Sequence, residues 1–164
     1  MVDLRALSPD DAPALTRIYS GASIRYTTGK PLTPDQAHEK IRTSLARAAE
    51  NPRMQWSWCI LRESRTIGLI SLRRRTPSTG TISYILCEDC WGRGYATQAV
   101  TQVIPVAFTG AGLNRLEAMH HPENPASGRV LTKAGFTRVG TADRNTRHGP
   151  AIPYELYKLE NTSR

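Results

Sequence analysis

The chain has 164 residues, with 22 Lys and Arg against 14 Asp and Glu and a formal net charge of +8. This length suits one domain, 1–164, able to bury a core without disulfide staples, and no apolar run nears the ~20 residues that span a bilayer. A cytoplasmic protein with acidic or phosphorylated partners is expected, because the acidic, alternating start is not a secretory signal and the basic excess favours anions.

Residues 2–7 (VDLRAL) alternate as a strand. Ser8 as cap and Pro9 in the first turn predict a helix through SPDDAPALTRIY. The glycine- and threonine-rich SGASIRYTTGKPL reads as a loop. Thr33 and Pro34 then repeat the starter, and Ala37, Ile41, Leu45 and Ala48 share one helical face. MQWSWCILR and TIGLISLRRR, separated by ESR, read as a hairpin, and TISYILC as a third strand. ATQAVTQVIPVAF has helical spacing, with Pro105 expected to kink it. A strand over Leu116–His120, a short helix in NPASGRVLTKAGF stopped by Gly135, and two closing strands, TRVGTA and AIPYELYKLE, complete the chain. The loop between these last two is DRNTRHGP. The order β-α-α-β-β-β-α-β-α-β-β implies a layered α/β (α+β) fold with a mixed sheet.

The three cysteines, Cys59, Cys87 and Cys90, make no disulfide framework. Cys87 and Cys90 have C-x-x-C spacing, but a zinc site needs about four ligands and only His120-His121 is on offer, so no metal is expected.

The segment CEDCWGRGYATQAV (87–100) places two glycines around an arginine where a strand hands over to a helix. A dinucleotide fingerprint needs a third glycine, where Thr97 stands, and should follow its strand directly. A Walker A loop lacks its Gly-Lys-Ser/Thr. Two readings stay open: a surface turn, or a cradle in which backbone N–H groups converge on an anion at a helix start, aided by Arg93.

WGRGYATQAV after SYILCEDC, together with ENPASGRVLTKAGF (123–136), resembles the GNAT superfamily of acyl-CoA-dependent N-acetyltransferases, in its RimJ/RimL-like branch. The matching residues of the second motif are Asn124, Ser127, Arg129, Lys133, Gly135 and Phe136. Departures are Trp91 at the head of the loop, Gln98 where an acid is frequent, and Pro105. The resemblance implies a three-layer fold whose mostly antiparallel sheet splays into a V, and acetyl-CoA as cosubstrate. It implies pantetheine on the backbone of Ile85, Leu86 and Cys87, and pyrophosphate on a loop of Trp91, Gly92, Arg93, Gly94, Tyr95, Ala96 and Thr97. Asn124 would meet the pantetheine arm, Lys133 the nucleotide phosphates, and Ser127 the departing sulfur.

The acceptor is expected to be a primary amine of a protein N-terminus, a peptide or a small molecule. An α-amino group titrates near ~7.7–8.0 and needs only a weak base, whereas a lysine costs about 4 kcal/mol to deprotonate at pH 7. Glu117, His120, His121 and Glu88 are the candidate bases. Alternation sends Glu117 and Met119 to one face and His120 to the other. Tyr84 and Tyr154 bracket the site or fill the core. Acceptor choice is assigned to the SGASIRYTTGKPL and DRNTRHGP loops. No membrane partner is expected, and a homodimer is left open. The rival readings are a non-catalytic acyl-CoA sensor and a nucleic-acid module, the latter prompted by LRRRT (72–76).

Overall fold

The computed structural model describes residues 1–27, 29–146 and 149–162. Seven strands form one sheet in the order β1-β2-β3-β4-β5-β7-β6. Strands β1 (Asp3–Ala6), β2 (Gln55–Arg62), β3 (Arg65–Arg74) and β4 (Thr79–Leu86) are successive antiparallel neighbours. Strand β5 (Arg115–His120) pairs parallel with β4, and β7 (Gly149–Glu160) lies between β5 and β6 (Thr137–Thr146).

Helices α1 (Ala12–Ile18) and α2 (Pro34–Ala48) cover one face; α3 (Tyr95–Pro105) and α4 (Pro125–Lys133) cover the other. The faces follow from alternation along the strands. Gln55 Nε2 donates to Ser44 Oγ of α2 at 3.1 Å and to Ser57 Oγ at 2.9 Å, and Ser57 lies 2.9 Å from Ser71. Ser71 is in register with Ser83. Ser83 therefore faces α2, and its neighbour Tyr84 faces α4. Leu15, Ile18, Ile41, Cys59 and Leu69 fill the first layer, while Ile70, Leu72, Val100, Leu116 and Leu131 fill the second; all are buried. Each such Leu or Ile contributes about 1.5–3 kcal/mol by leaving water.

Ser8 caps a tight 3-10 turn over Pro9–Asp11 rather than the helix itself, which starts at Ala12. The reason is Asp11, whose carboxylate accepts the Ser8 N–H at 2.8 Å and also binds Arg5 at 2.8 Å. Thr33 and Gln36 close a reciprocal capping box on α2, as the cap residues predict.

Pro105, expected to kink the helix, is the last residue of α3. The helix ends there and widens into a π turn over Val106–Gly110, with Ala111 N–H on Val106 O at 2.8 Å. A wider turn tolerates the donor that proline lacks. Gln98 has a structural use: its Oε1 accepts the Val2 N–H at 2.8 Å, and Gln102 returns a bond to Val2 O at 2.8 Å.

The closing strands correct the sequence reading. Asp143 to Thr146 and Gly149–Pro150, expected as loop, extend a long β6–β7 hairpin. Its end is exposed on both faces, so no alternation marks it. Thr28, Arg147 and His148, parts of the two loops assigned to acceptor choice, lie outside the described residues. Among the described residues no helix is long and apolar enough to cross a membrane.

Candidate active site

Strands β4 and β5 pair only over Thr79↔Arg115, Gly80↔Leu116 and Thr81↔Glu117. Beyond that point Ile82–Leu86 and Ala118–His120 diverge, opening a V between two strand edges. Two bonds fix which β4 groups face it: Thr79 O accepts from Arg75 N–H at 2.8 Å, and Cys87 N–H donates to Ile67 O at 2.8 Å. Antiparallel pairs alternate, so the odd-numbered residues bond β3 and the backbones of Ile82, Tyr84 and Leu86 face the gap. Of the three residues expected to meet pantetheine, Leu86 presents its N–H there. Ile85 and Cys87 direct theirs to β3 and bury their side chains.

A turn at Glu88–Cys90 carries the chain from β4 to the glycine loop. The Trp91 indole N–H donates to Leu86 O at 3.2 Å and holds the loop to the strand end. Gly92 and Gly94 have φ of +75° and +81°, a region that L side chains disfavour. A Cβ at either would meet nothing within 4 Å. The space beside them is open, so the backbone twist, not crowding, requires glycine. Among the described residues none of the N–H groups from Gly92 to Thr97 has a protein acceptor; Gln98 N–H is the first to bond, to Gly94 O at 3.1 Å. These donors stand at the start of α3, where the helix dipole is positive.

Arg62, Arg65 and Arg93 line a cavity of about 400 Å³ beside the loop, together with Tyr95 and the carboxylates of Glu63 and Asp89; Arg62 lies 3.2 Å from Glu63. Arg62 Nε donates to Tyr95 Oη at 3.1 Å, and Arg65 lies 3.4 Å from Asp89. Arg93 pairs with no carboxylate among the described residues. Sequence reading found Arg93 but missed Arg62 and Arg65, which the β2–β3 hairpin brings from 28 residues or more upstream. The arrangement is a run of N–H donors without a protein acceptor among the described residues, with the unpaired Arg93 guanidinium among them, which suits a diphosphate.

Helix α4 forms the other wall of the V. Its N-cap, Asn124, is held by its own N–H on His121 O at 2.9 Å; its carboxamide has no partner among the described residues. Ser127 Oγ lies 2.7 Å from Tyr84 Oη across the gap. Burial pushes the Tyr84 hydroxyl up to about 12, so it keeps its proton and remains a donor. This contact joins residues 43 positions apart and is invisible to motif spacing.

Lys133 lies on the α4 face turned away from Ser127. With Arg129 it rims a cavity of about 530 Å³ floored by His120, Gly128 and Tyr157. His120 is buried on the α4 side, its Nδ1 2.7 Å from His121 O and its Nε2 3.4 Å from Tyr157 Oη. A Cβ on Gly128 would come within 2.8 Å of His120 Nε2, so that glycine sets how closely α4 approaches β5.

The candidate bases separate sharply. Glu117 sits at the closed apex, where Arg115 holds its carboxylate at 2.9 Å. His121 accepts the Glu123 N–H on Nδ1 at 3.0 Å, which occupies its lone pair. Glu88 is exposed at the mouth of the V, against the Gly21 turn, and carries no ion pair among the described residues.

A family model described as an Acetyltransferase (GNAT) domain matches residues 2–137. The chain is 29% identical over 161 residues to the uncharacterized N-acetyltransferase p20 of Bacillus licheniformis, covering 95% of this chain and 90% of that one. RimJ of Mycobacterium smegmatis, solved in complex with CoA-disulfide, superposes with a TM-score of 0.83 at 22% identity, over 98% of this chain and 82% of that one. Spermidine N-acetyltransferase from Vibrio cholerae, solved with CoA and spermine, gives 0.81 at 16% identity over 98% and 96%. Splayed strands, a glycine loop with free donors and a family match over most of the sequence agree: the chain belongs to the acetyltransferase (GNAT) family and is an acyl-CoA-dependent N-acetyltransferase.

Proposed function

We propose that this one-domain enzyme acetylates the α-amino group of a protein or peptide, with each side of the V taking one substrate. The observation that carries the donor half is the run of N–H groups from Gly92 to Thr97 that have no protein acceptor among the described residues, beside open space at both glycines and with Arg93 in their midst. They would bind the coenzyme A pyrophosphate, with the free edge of Tyr84 and the Asn124 amide along the pantetheine. Lys133, turned to the outer cavity, is left for the nucleotide end.

In the reaction the amine nitrogen attacks the thioester carbon, the C–S bond breaks, the amine loses one proton and the thiolate gains one. Leu86 N–H opens on the gap, where a developing oxyanion needs a fixed donor. Tyr84 donates to Ser127 Oγ, which leaves the Ser127 proton for the departing sulfur. The amine's proton leaves through water toward Glu88; an α-amino group needs no stronger acceptor. Glu117, neutralised by Arg115, and His120, packed under α4, are left with structural roles.

Calorimetry with coenzyme A is the test. The wild type should bind, and Gly94→Val should weaken binding at least tenfold, because the new side chain occupies the ligand's space. Thermal melting separates that from misfolding. Equal affinity in the two folded proteins would overturn the reading.

A further inference from the structure

The mouth of the V on the α1/α2 face is framed by three rings. The segment after α1 crosses from one strand end to the other. Gly21 packs against Glu88, just past β4, and the Tyr26 ring lies 5.2 Å from that of His121, just past β5. His121 lies 5.4 Å from Tyr154, edge to face. Tyr154 shares its face of β7 with Leu156, opposite Met119, so it stands on the side of the sheet away from α4. A guanidinium caps each end of this row: Arg25 lies 5.4 Å from the Tyr26 centroid and Arg144 5.2 Å from that of Tyr154. Neither arginine pairs with a carboxylate among the described residues, although Glu117, Glu155 and Glu160 all hold cationic partners. Glu88, just past β4, and Glu123, just past β5, carry no ion pair among the described residues, and neither does Asp143 beside Arg144.

From this geometry we infer that the amine acceptor carries carboxylates a few bonds from the reacting nitrogen: it is a peptide whose N-terminal amine is followed by acidic side chains. The inference rests on the reading of this face as the acceptor side. Two arginines fixed by stacking on tyrosines are poised to grip carboxylates with little further ordering, while the rings hold the extended peptide between them. The same two charges oppose a polyamine, which would meet a guanidinium at either end of the row.

The experiment compares acetylation of four amines by the full-length protein with acetyl-CoA, read as free thiol and by product mass. These are an Ala-Glu-Glu peptide amide, the Ala-Gln-Gln amide, an Ala-Glu-Glu peptide with a free C-terminus, and spermidine. Direct binding of each to the protein saturated with coenzyme A is measured alongside. The acidic amide should exceed the Gln amide in kcat/KM and affinity by about tenfold, and spermidine by more. The free C-terminus should add less than threefold, which assigns the effect to side chains. Arg25→Gln with Arg144→Gln should cut the acidic-to-neutral ratio to below about threefold by raising KM for the acidic peptide, with coenzyme A affinity unchanged. Raising salt should shrink the ratio in the wild type. Equal use of acidic and neutral peptides, preference for spermidine, an unaltered ratio in the double variant, or no peptide binding by a protein that still binds coenzyme A would each overturn the inference while leaving the donor side intact. Failure to bind coenzyme A at all would instead strike at the donor reading.

Discussion

The contact between Tyr84 and Ser127 is the one on which the proposed proton transfer to sulfur depends. The hydroxyl pair is 2.7 Å apart, and the tyrosine, kept protonated by burial, points its only proton at the serine or at Ser127 O, 3.3 Å away. If Ser127 delivers a proton to sulfur, Ser127→Ala should lower kcat by about 10²-fold, the lower range for a positioned acid, with KM for acetyl-CoA nearly unchanged. Tyr84→Phe keeps the ring and loses the orienting donor, so kcat should fall by about tenfold, again with little change in KM. Steady-state kinetics of the two variants and of the double variant would check this. The double variant should resemble Ser127→Ala, because residues acting as a unit are not additive. The residues of this pair differ in how legible they were. Ser127 stood out through its motif, whereas Tyr84 read more readily as a core aromatic. Glu117 was readable in principle: Arg115 two residues earlier lies on the same strand face, and the pair neutralises itself. His120 gave no such sign, since nothing local says that Gly128 will press against it.

At the scale of elements, the chain order of strands and helices followed from period-2 and period-3.6 patterns with their caps. The failures fell where burial leaves no pattern. The outer end of β6 faces solvent on both sides, and its polar residues look like a loop. The hand-over from β1 to α1 is better specified than its propensities suggest. Arg5 on β1 and Asp11 at the head of α1 are joined at 2.8 Å, with the Asp11 side chain 8% exposed. Burial would raise the Asp11 carboxyl, but Arg5 and the Ser8 N–H outweigh it and hold it below its ordinary value near 3.8. A carboxylate depressed in the folded state gives stability that is present above the unfolded value and lost as pH falls through the folded one. Asp11→Asn should therefore cost about 1–2 kcal/mol at pH 7, less than a fully buried pair because Arg5 is 44% exposed. Urea denaturation of both proteins should show a constant gap from pH 7 to 5 that narrows progressively as pH falls past the unfolded value. A gap that did not narrow at all on acidification would assign the cost to packing instead.

Across the whole molecule, the net charge of +8 is distributed by use. The basic run that suggested a nucleic-acid surface is largely absorbed by the fold: Arg74 donates to Arg53 O, Pro77 O and Ala111 O, stacks 5.5 Å from Trp56, and Arg75 Nε bonds Thr81 Oγ1 at 2.9 Å. Arg93 in the glycine loop, and Arg25 and Arg144 at the ends of the ring row proposed as the acceptor side, keep no carboxylate partner among the described residues. Such a field concentrates a polyanionic cosubstrate near its site and acts on encounter more than on chemistry. Salt should therefore separate the kinetic constants. Between 0.1 and 1 M the screening length falls from about 10 to about 3 Å, so KM for acetyl-CoA should rise roughly fivefold to tenfold while kcat changes less than twofold. Arg93→Gln removes the loop cation that has no carboxylate partner among the described residues, and should raise KM at low salt and flatten its dependence, converging on the wild type near 1 M. A kcat that fell in parallel with binding, or a variant with an unaltered salt slope, would mean that the loop arginine screens no phosphate and that N–H donors alone hold the diphosphate.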